Sequence, residues 1–348
     1  MVLGLMDGAF YEVCRKNGIK FLGVRPSKLS KGIVFCDSPF DQPIGYQTIQ
    51  DEIPETDDSI VLRAQEIINS ALIKGRDPHY MIRSGRKFKL FSIRGLKAAF
   101  RILLDKEDFP ENSIYQKRRF NAFRDAIQRS KNIRSWRFEE YVGIDGYSTN
   151  YFVYAAHFEP EASVHVRAHD FADQLGLIKL ISRLLPPTSM LLVKEHKGNQ
   201  GFRKAGFYEQ ISHLYNVKII SPWANLRELA GCSKGVLTLT GRIGLECLID
   251  GIPIIAFGET FWTNHPRVLK PRSIDEIRDL LAELSNRREH AETSVKLHLD
   301  RQLAKMIVSY ESLVSPGTFI QGDPMFTSDD NALNYANGIL NISREYNS

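Results

Sequence analysis

The segment 236–258, VLTLTGRIGLECLIDGIPIIAFG, limits what this chain can fold into more than any other stretch. It reads as a buried strand (236–239), a turn at Thr240 and Gly241, a helix over about 243–250 and a second buried strand (253–257). Both strands are unbroken apolar runs bounded by Gly, Pro or Thr, the pattern of parallel strands covered on both faces. The turn lies at the carboxyl end of the first strand, where open α/β sheets bind ligands. Free N–H groups opening the helix, with the helix dipole, attract an anion. Gly241 and Gly244 let a ligand approach the backbone. Glu246, expected on the first turn of the helix, is within reach of a sugar hydroxyl.

The same alternation precedes this segment. The pattern predicts strands over 151–155, 190–193 and 217–220, and helices over 169–185, 206–215 and 225–230. Pro186 and Pro187 stop the first of these helices. Strands alternating with such helices imply a parallel sheet with right-handed crossovers. Helices over 273–284 and 292–313 follow, then a polar tail expected to pack on a surface.

The first 150 residues are less regular. They predict a helix over 3–16, strands over 19–24 and 32–36, a loop over 39–58 and a helix over 59–74. The stretch 81–106 is strongly basic, with helical apolar spacing at Leu96, Ala99, Phe100, Leu103 and Leu104. Another basic helix is expected over 113–130. Residues 131–150 end in the turn formers GIDGYSTN and read as a hinge. No strand and glycine-rich turn precede the first helix, so this domain is expected to be short or truncated.

The 348 residues, 43% hydrophobic and 25% charged, suffice for two domains of ordinary size. No apolar run is long enough for a membrane span. The N-terminus lacks the basic leader and cleavage site of a signal peptide. Cys14, Cys36, Cys232 and Cys247 are scattered, without CxxC spacing, which predicts neither zinc nor disulfides and suits a reducing cytoplasm. A net charge of +5 suits phosphate-bearing ligands or an anionic membrane surface.

Three polar turns at successive strand ends are candidates for chemistry. After 151–155 comes AHFEPEAS, where His157, Glu159 and Glu161 crowd one strand end and can serve proton transfer or attack at an anomeric carbon. After 190–193 comes VKEHKG, with Lys194 and His196 as phosphate-seeking donors and Glu195 to orient one of them. Gly198, Gly201 and Arg203 follow in a basic loop. The third turn is TGRIGLE. Each has a plain alternative as a solvated loop; their shared placement at strand ends argues for a site. TGRIGLE is neither GxGxxG nor a P-loop, so no dinucleotide fingerprint is present. His165 and His169 stand four apart with no third ligand, so no metal site is expected. The basic stretch 83–101 suits anionic lipid better than nucleic acid, its plain alternative being a solvated helix face.

Taken in order, HFEPEAS at 157–163, DFADQ at 170–174, LLP at 184–186, VKEHKG at 193–198 and TGRIGLECLIDGIPIIAFG at 240–258 resemble the bacterial capsule polysaccharide biosynthesis proteins, the group that includes the β-Kdo transferases. The resemblance spans about 151–266. It implies a GT-B-like glycosyltransferase: two Rossmann-like domains facing a cleft, with C-terminal helices packing across the junction. Residues 1–150 would form the acceptor-side domain, 151–290 the nucleotide-sugar domain and 291–348 the C-terminal helices and tail. By matched position, Lys194, Glu195, His196, Thr240, Gly241, Gly244 and Glu246 would hold the donor. Glu161 would act at the anomeric centre, with His157 as its acid/base or orienting partner.

The resemblance further implies a nucleotide-sugar donor, often CMP-linked and acidic, and no metal or other cofactor. The acceptor would be a glycan or lipid-linked glycan at the inner membrane face. Two departures stand out. His196 is followed by Lys197 rather than proline, and Glu159 replaces the glutamine of H-x-Q-P-E. The second puts a negative charge where an amide is expected, which would repel an acidic donor unless Glu159 is protonated or turned away. The alternatives are a nucleotide-sugar epimerase or phosphotransferase on the same fold, or a non-catalytic scaffold of a capsule assembly complex.

Overall fold

The structure is a computed structural model that describes residues 3–40, 42–54, 57, 59–71, 150–159, 162–199, 203–287, 298–318, 325 and 328–345. The chain opens with α1 (Leu3–Lys16), a hairpin of β1 (Gly23–Pro26) and β2 (Ile33–Cys36), then α2 (Tyr46–Glu52) and α3 (Ser59–Ala71). The regular part follows: β3 (Tyr151–Ala155), α4 (Ala162–His165), α5 (Gln174–Leu184), β4 (Met190–Lys194), α6 (Phe207–Ser212), β5 (Val217–Ile220) and α7 (Leu226–Gly231). It continues through β6 (Gly235–Thr238), α8 (Arg242–Ile249), β7 (Ile254–Ala256) and β8 (Val268–Leu269). Helices α9 (Ile274–Asn286), α10 (Arg301–Ser312) and α11 (Asp329–Glu345) close the chain.

Strands β3 to β8 form one parallel sheet in the order β5-β4-β3-β6-β7-β8. Its two faces bury separate clusters, as the unbroken apolar runs require. Val153, Leu192, Val236 and Ile254 face one way, against Leu229 of α7, Leu248 of α8 and Ile307 of α10. Phe152, Leu191, Leu237 and Ile255 face the other, against Ile178 of α5, Ile211 of α6 and Leu281 of α9. The fold is α/β, with helices on both faces of a six-stranded parallel sheet. Among the described residues no helix is long and apolar enough to cross a membrane.

Before residue 72 the chain forms a two-stranded antiparallel hairpin rather than a parallel sheet. Residues 72–149, which carry the basic stretch 83–101, the helices expected over 81–106 and 113–130 and the hinge, lie outside the described residues. Val34, Tyr46, Ile60 and Ile68 join the same core as β3 and α10, and Ile33 bridges to Ser315. Helix α10 thus packs onto α2 and α3, as expected of helices crossing back to the N-terminal part.

Several expected elements shift. The strand expected over 19–24 forms at Gly23–Pro26, where it can pair with β2. The loop expected over 39–58 contains α2, entered through Gly45 at φ 79°, a left-handed conformation glycine adopts freely. The helix expected over 169–185 breaks into a 3-10 turn at His169–Phe171 and α5, because the Asp173 carboxylate accepts from the Gly176 N–H and caps a new start. The polar tail holds a 17-residue helix, α11.

Candidate functional site

From β3 the sheet grows through β4 to β5 on one side and, after α7, through β6 on the other. The switch point lies between β3 and β6, and their carboxyl ends flank the crevice where doubly wound sheets bind ligands. His157 follows β3, and Thr240 and Gly241 follow β6. The Thr240 backbone N–H donates to Nε2 of His157 at 3.1 Å. A Cβ on Gly241 would lie 2.9 Å from Thr238 Oγ1 and 3.3 Å from His157 Nε2, so glycine there admits the imidazole. Behind them, a Cβ on Gly258 would meet Thr240 Cγ2 at 2.6 Å and the Arg167 carbonyl oxygen at 2.9 Å. The end of β7 therefore closes onto Thr240.

His157 is held from several sides. Its N–H donates to Gln174 Oε1 at 2.8 Å, and Gln174 Nε2 donates back to its carbonyl at 3.2 Å and to Glu159. Tyr154 Oη donates to the same Gln174 oxygen at 3.1 Å. Because Nε2 accepts from a main-chain N–H, the neutral ring carries its proton on Nδ1. Nδ1 is buried; among the described residues it makes no hydrogen bond of ordinary geometry, and the Ala155 carbonyl is the backbone acceptor that acts on it. Burial first, then the charges of His196, Lys28 and Arg203, push the His157 pKa down to about 3. The imidazole is neutral at physiological pH.

Arg203 joins the turns after β3 and β4. Its side chain is wholly buried. Nε donates to Glu195 Oε2 at 2.9 Å, Nη2 to Glu195 Oε1 and to the His157 carbonyl, both at 2.8 Å, and Nη1 stands 3.1 Å from Glu159. The Phe207 ring lies 4.7 Å from the guanidinium. Burial opposes this charge, but the Glu195 and Glu159 carboxylates outweigh it and raise the arginine pKa further. Glu159 is thus paired, which answers the expectation that its charge would face a donor unopposed.

The expected site residues divide into three groups. His157, Thr240 and Gly241 meet at the crevice, and His196 joins them: its ring lies 5.9 Å from that of Phe158, and its charge acts on His157. The Gly198 N–H donates to His196 Nδ1 at 3.1 Å, leaving Nε2 as the ring's donor when neutral. Lys194 and Glu195 turn into the protein. Lys194 Nζ donates to the Pro222 carbonyl at 3.1 Å, and Glu195 also accepts from Tyr208 Oη at 2.9 Å and the His196 N–H at 2.7 Å. Glu195 therefore orients the His196 turn.

Gly244 and Glu246 correct the remaining expectations. A Cβ on Gly244 would lie 2.2 Å from the Trp262 ring, so this glycine seats an indole and does not open the backbone to a ligand. Glu246 sits one turn into α8, not at its start, and its carboxylate lies 3.4 Å from Arg242 Nε. Arg242 also donates to the Ala71 carbonyl at 2.9 Å, so this pair faces the end of α3. Glu161 lies outside the described residues.

Sequence reasoning assigned no role of their own to Gln174, Arg203 or Lys28. Lys28 sits in the β1–β2 turn, its N–H donating to Tyr310 Oη at 3.1 Å, and its charge reaches His157. Gln174 closes the DFADQ motif, but no local signature shows what any of the three does, because each acts on a turn distant in sequence. Among the described residues no cluster of three or more His, Cys, Asp or Glu side chains could hold a metal ion.

Residues 144–265 match the capsule polysaccharide biosynthesis protein family, the family that the motifs resemble. No curated protein matches the chain. Among solved structures, the KpsC β-Kdo 2,7 transferase of Thermosulfurimonas dismutans is similar at 13% identity and a TM-score of 0.38, over 95% of this chain and 83% of that one. The UDP-GlcNAc 2-epimerase of Methanocaldococcus jannaschii is similar at 13% identity and a TM-score of 0.31, over 48% of this chain and 46% of that one. Its complex with UDP-GlcNAc and UDP gives 14% identity, a TM-score of 0.31 and coverage of 54% and 52%.

Proposed function

We propose, from the match of residues 144–265 to the capsule polysaccharide biosynthesis family, that this chain is a glycosyltransferase of surface polysaccharide assembly. It would move a sugar from a nucleotide-activated donor, CMP-linked by resemblance, to a glycan or lipid-linked glycan. One observation above all supports the reading: at the switch point the Thr240 N–H fixes a buried, neutral His157 between the turns after β3 and β6. A neutral polar ring fixed at a switch point suits an oxygen-rich ligand such as a sugar or phosphate.

In this reading His157 orients the donor and does not shuttle its proton, since its Nε2 is occupied and its pKa lies near 3. Thr240, Gly241 and His196 line the donor side, and Lys194 and Glu195 hold their turns in place. Glu161 is the carboxylate at the anomeric centre. Residues 1–150 supply the acceptor side, and the basic stretch 83–101 meets the inner face of the membrane from the cytoplasm. The transfer needs no metal ion.

Calorimetry with CMP, UDP and CDP tests the reading. One nucleotide should bind, and its sugar conjugate should be consumed only when a glycan acceptor is present, with chelator making no difference. Interconversion of the nucleotide sugar without acceptor would make the chain an epimerase. Failure to bind any nucleotide would make it a scaffold.

A further inference from the structure

We infer that Arg203 is a positioning residue whose guanidinium makes an acidic side chain at position 159 compatible with an anionic ligand beside His157. The inference rests on the donor-binding reading above. Three segments meet on this one side chain: the turn after β3 through Glu159 and the His157 carbonyl, the turn after β4 through Glu195, and α6 through the Phe207 ring.

The two carboxylates are not equivalent. Glu195 is 1% exposed and its oxygens are taken up by Arg203, Tyr208 Oη and the His196 N–H. Glu159 is 25% exposed, so its charge is the one a ligand in the crevice meets. Arg203 Nη1 stands 3.1 Å from Glu159, and Gln174 Nε2 donates to it from the other side. A carboxylate that close to a buried cation presents much less field to a neighbouring phosphate than an unpaired one. The guanidinium also holds the His157 carbonyl at 2.8 Å, so the same group sets the imidazole's place. Lysine cannot substitute, because one ammonium cannot span two carboxylates and a carbonyl with the geometry of a planar fork.

The test compares binding of CMP and UDP by calorimetry in the full chain, Glu159→Gln, Arg203→Lys and the double variant. Arg203→Lys should weaken the tighter nucleotide about tenfold, on the order of 1.4 kcal/mol. Adding Glu159→Gln should restore binding to within about threefold, since the ammonium then has one carboxylate to neutralise. A simple loss of packing would not be rescued in this way. Wild-type binding in Arg203→Lys, or no recovery in the double variant, overturns the inference.

If Arg203→Lys does not fold, Glu159→Gln decides alone. Binding as tight as wild type or tighter supports the inference. Binding about tenfold weaker overturns it, because the carboxylate is then itself a ligand contact. If the wild-type chain binds no nucleotide, the donor-binding reading fails, and the imidazole nitrogen resonances of His157 still decide. Arg203→Lys should raise the pH at which His157 takes up a proton, because Glu159 is left unopposed; no change overturns the inference. Should that variant not fold either, Glu159→Gln should leave the His157 proton on Nδ1, and its appearance on Nε2 overturns the inference.

Discussion

The Thr240 N–H reaches across the switch point of the sheet to His157 Nε2, at 3.1 Å. This bond joins the turns after β3 and β6, which are 83 residues apart in the chain. It also fixes the tautomer, with the ring proton on Nδ1. The sheet order makes the meeting possible, because only at a switch point do two neighbouring strands send their following turns apart and open a crevice between them.

That bond and the burial around it predict a pH dependence of stability. The folded His157 pKa lies near 3, below the ordinary value of 6.5. Between those values the unfolded chain takes up a proton that the folded chain refuses. Stability must therefore fall as pH drops through that window, by at most about 1.4 kcal/mol per pH unit from this residue. Urea unfolding as a function of pH should show a shallower decline in His157→Gln than in wild type. Parallel curves would mean that His157 titrates normally in the folded state.

The two glycines of the TGRIGLE turn should separate stability from binding. Gly244→Ala drives a methyl into Trp262 and should cost about 1–3 kcal/mol by thermal unfolding, with a change in tryptophan emission. Gly241→Ala meets Thr238 Oγ1 at 2.9 Å and His157 Nε2 at 3.3 Å, and the second contact yields by moving the imidazole. It should weaken nucleotide binding more than it lowers stability. The reverse ranking would put the ligand at Gly244.

The fold was legible where strands are buried on both faces. Runs such as Tyr151–Ala155 and Val217–Ile220 match their expected bounds because nothing but a covered parallel strand suits them. Helix α2 was not, since it is seven residues long and buries only Tyr46. The site was legible as three turns at strand ends, but not as a network. Arg203 reads in sequence as one more charge in a basic loop. Its burial depends on Glu195, eight residues away, and on the His157 carbonyl, 46 residues away. Gly244 read as a ligand-side glycine because its partner, Trp262, lies beyond the next strand.

Glu161 carries the chemistry in the proposed reaction, so its amide variant should dissect the site. Glu161→Gln keeps the size of the side chain and removes the charge an oxocarbenium-like centre needs. Transfer should fall by a factor of about a thousand or more while nucleotide affinity stays within about threefold. Single-turnover kinetics beside calorimetry reads both. Unchanged turnover would remove this residue from the mechanism.

The β1–β2 turn should contribute to binding through Tyr310. Its hydroxyl accepts the Lys28 N–H at 3.1 Å, and its ring stacks on Phe261 with centroids 4.0 Å apart. Tyr310→Phe keeps the stacking and leaves one main-chain N–H without its acceptor, a cost of about 1 kcal/mol. The turn carries Lys28, whose charge acts on His157, so loosening it withdraws positive charge from the crevice. Nucleotide binding should weaken severalfold and depend less steeply on ionic strength than in wild type. If stability drops while affinity and its salt dependence hold, Lys28 serves only the hairpin, and the N-terminal part does not reach the ligand through this turn.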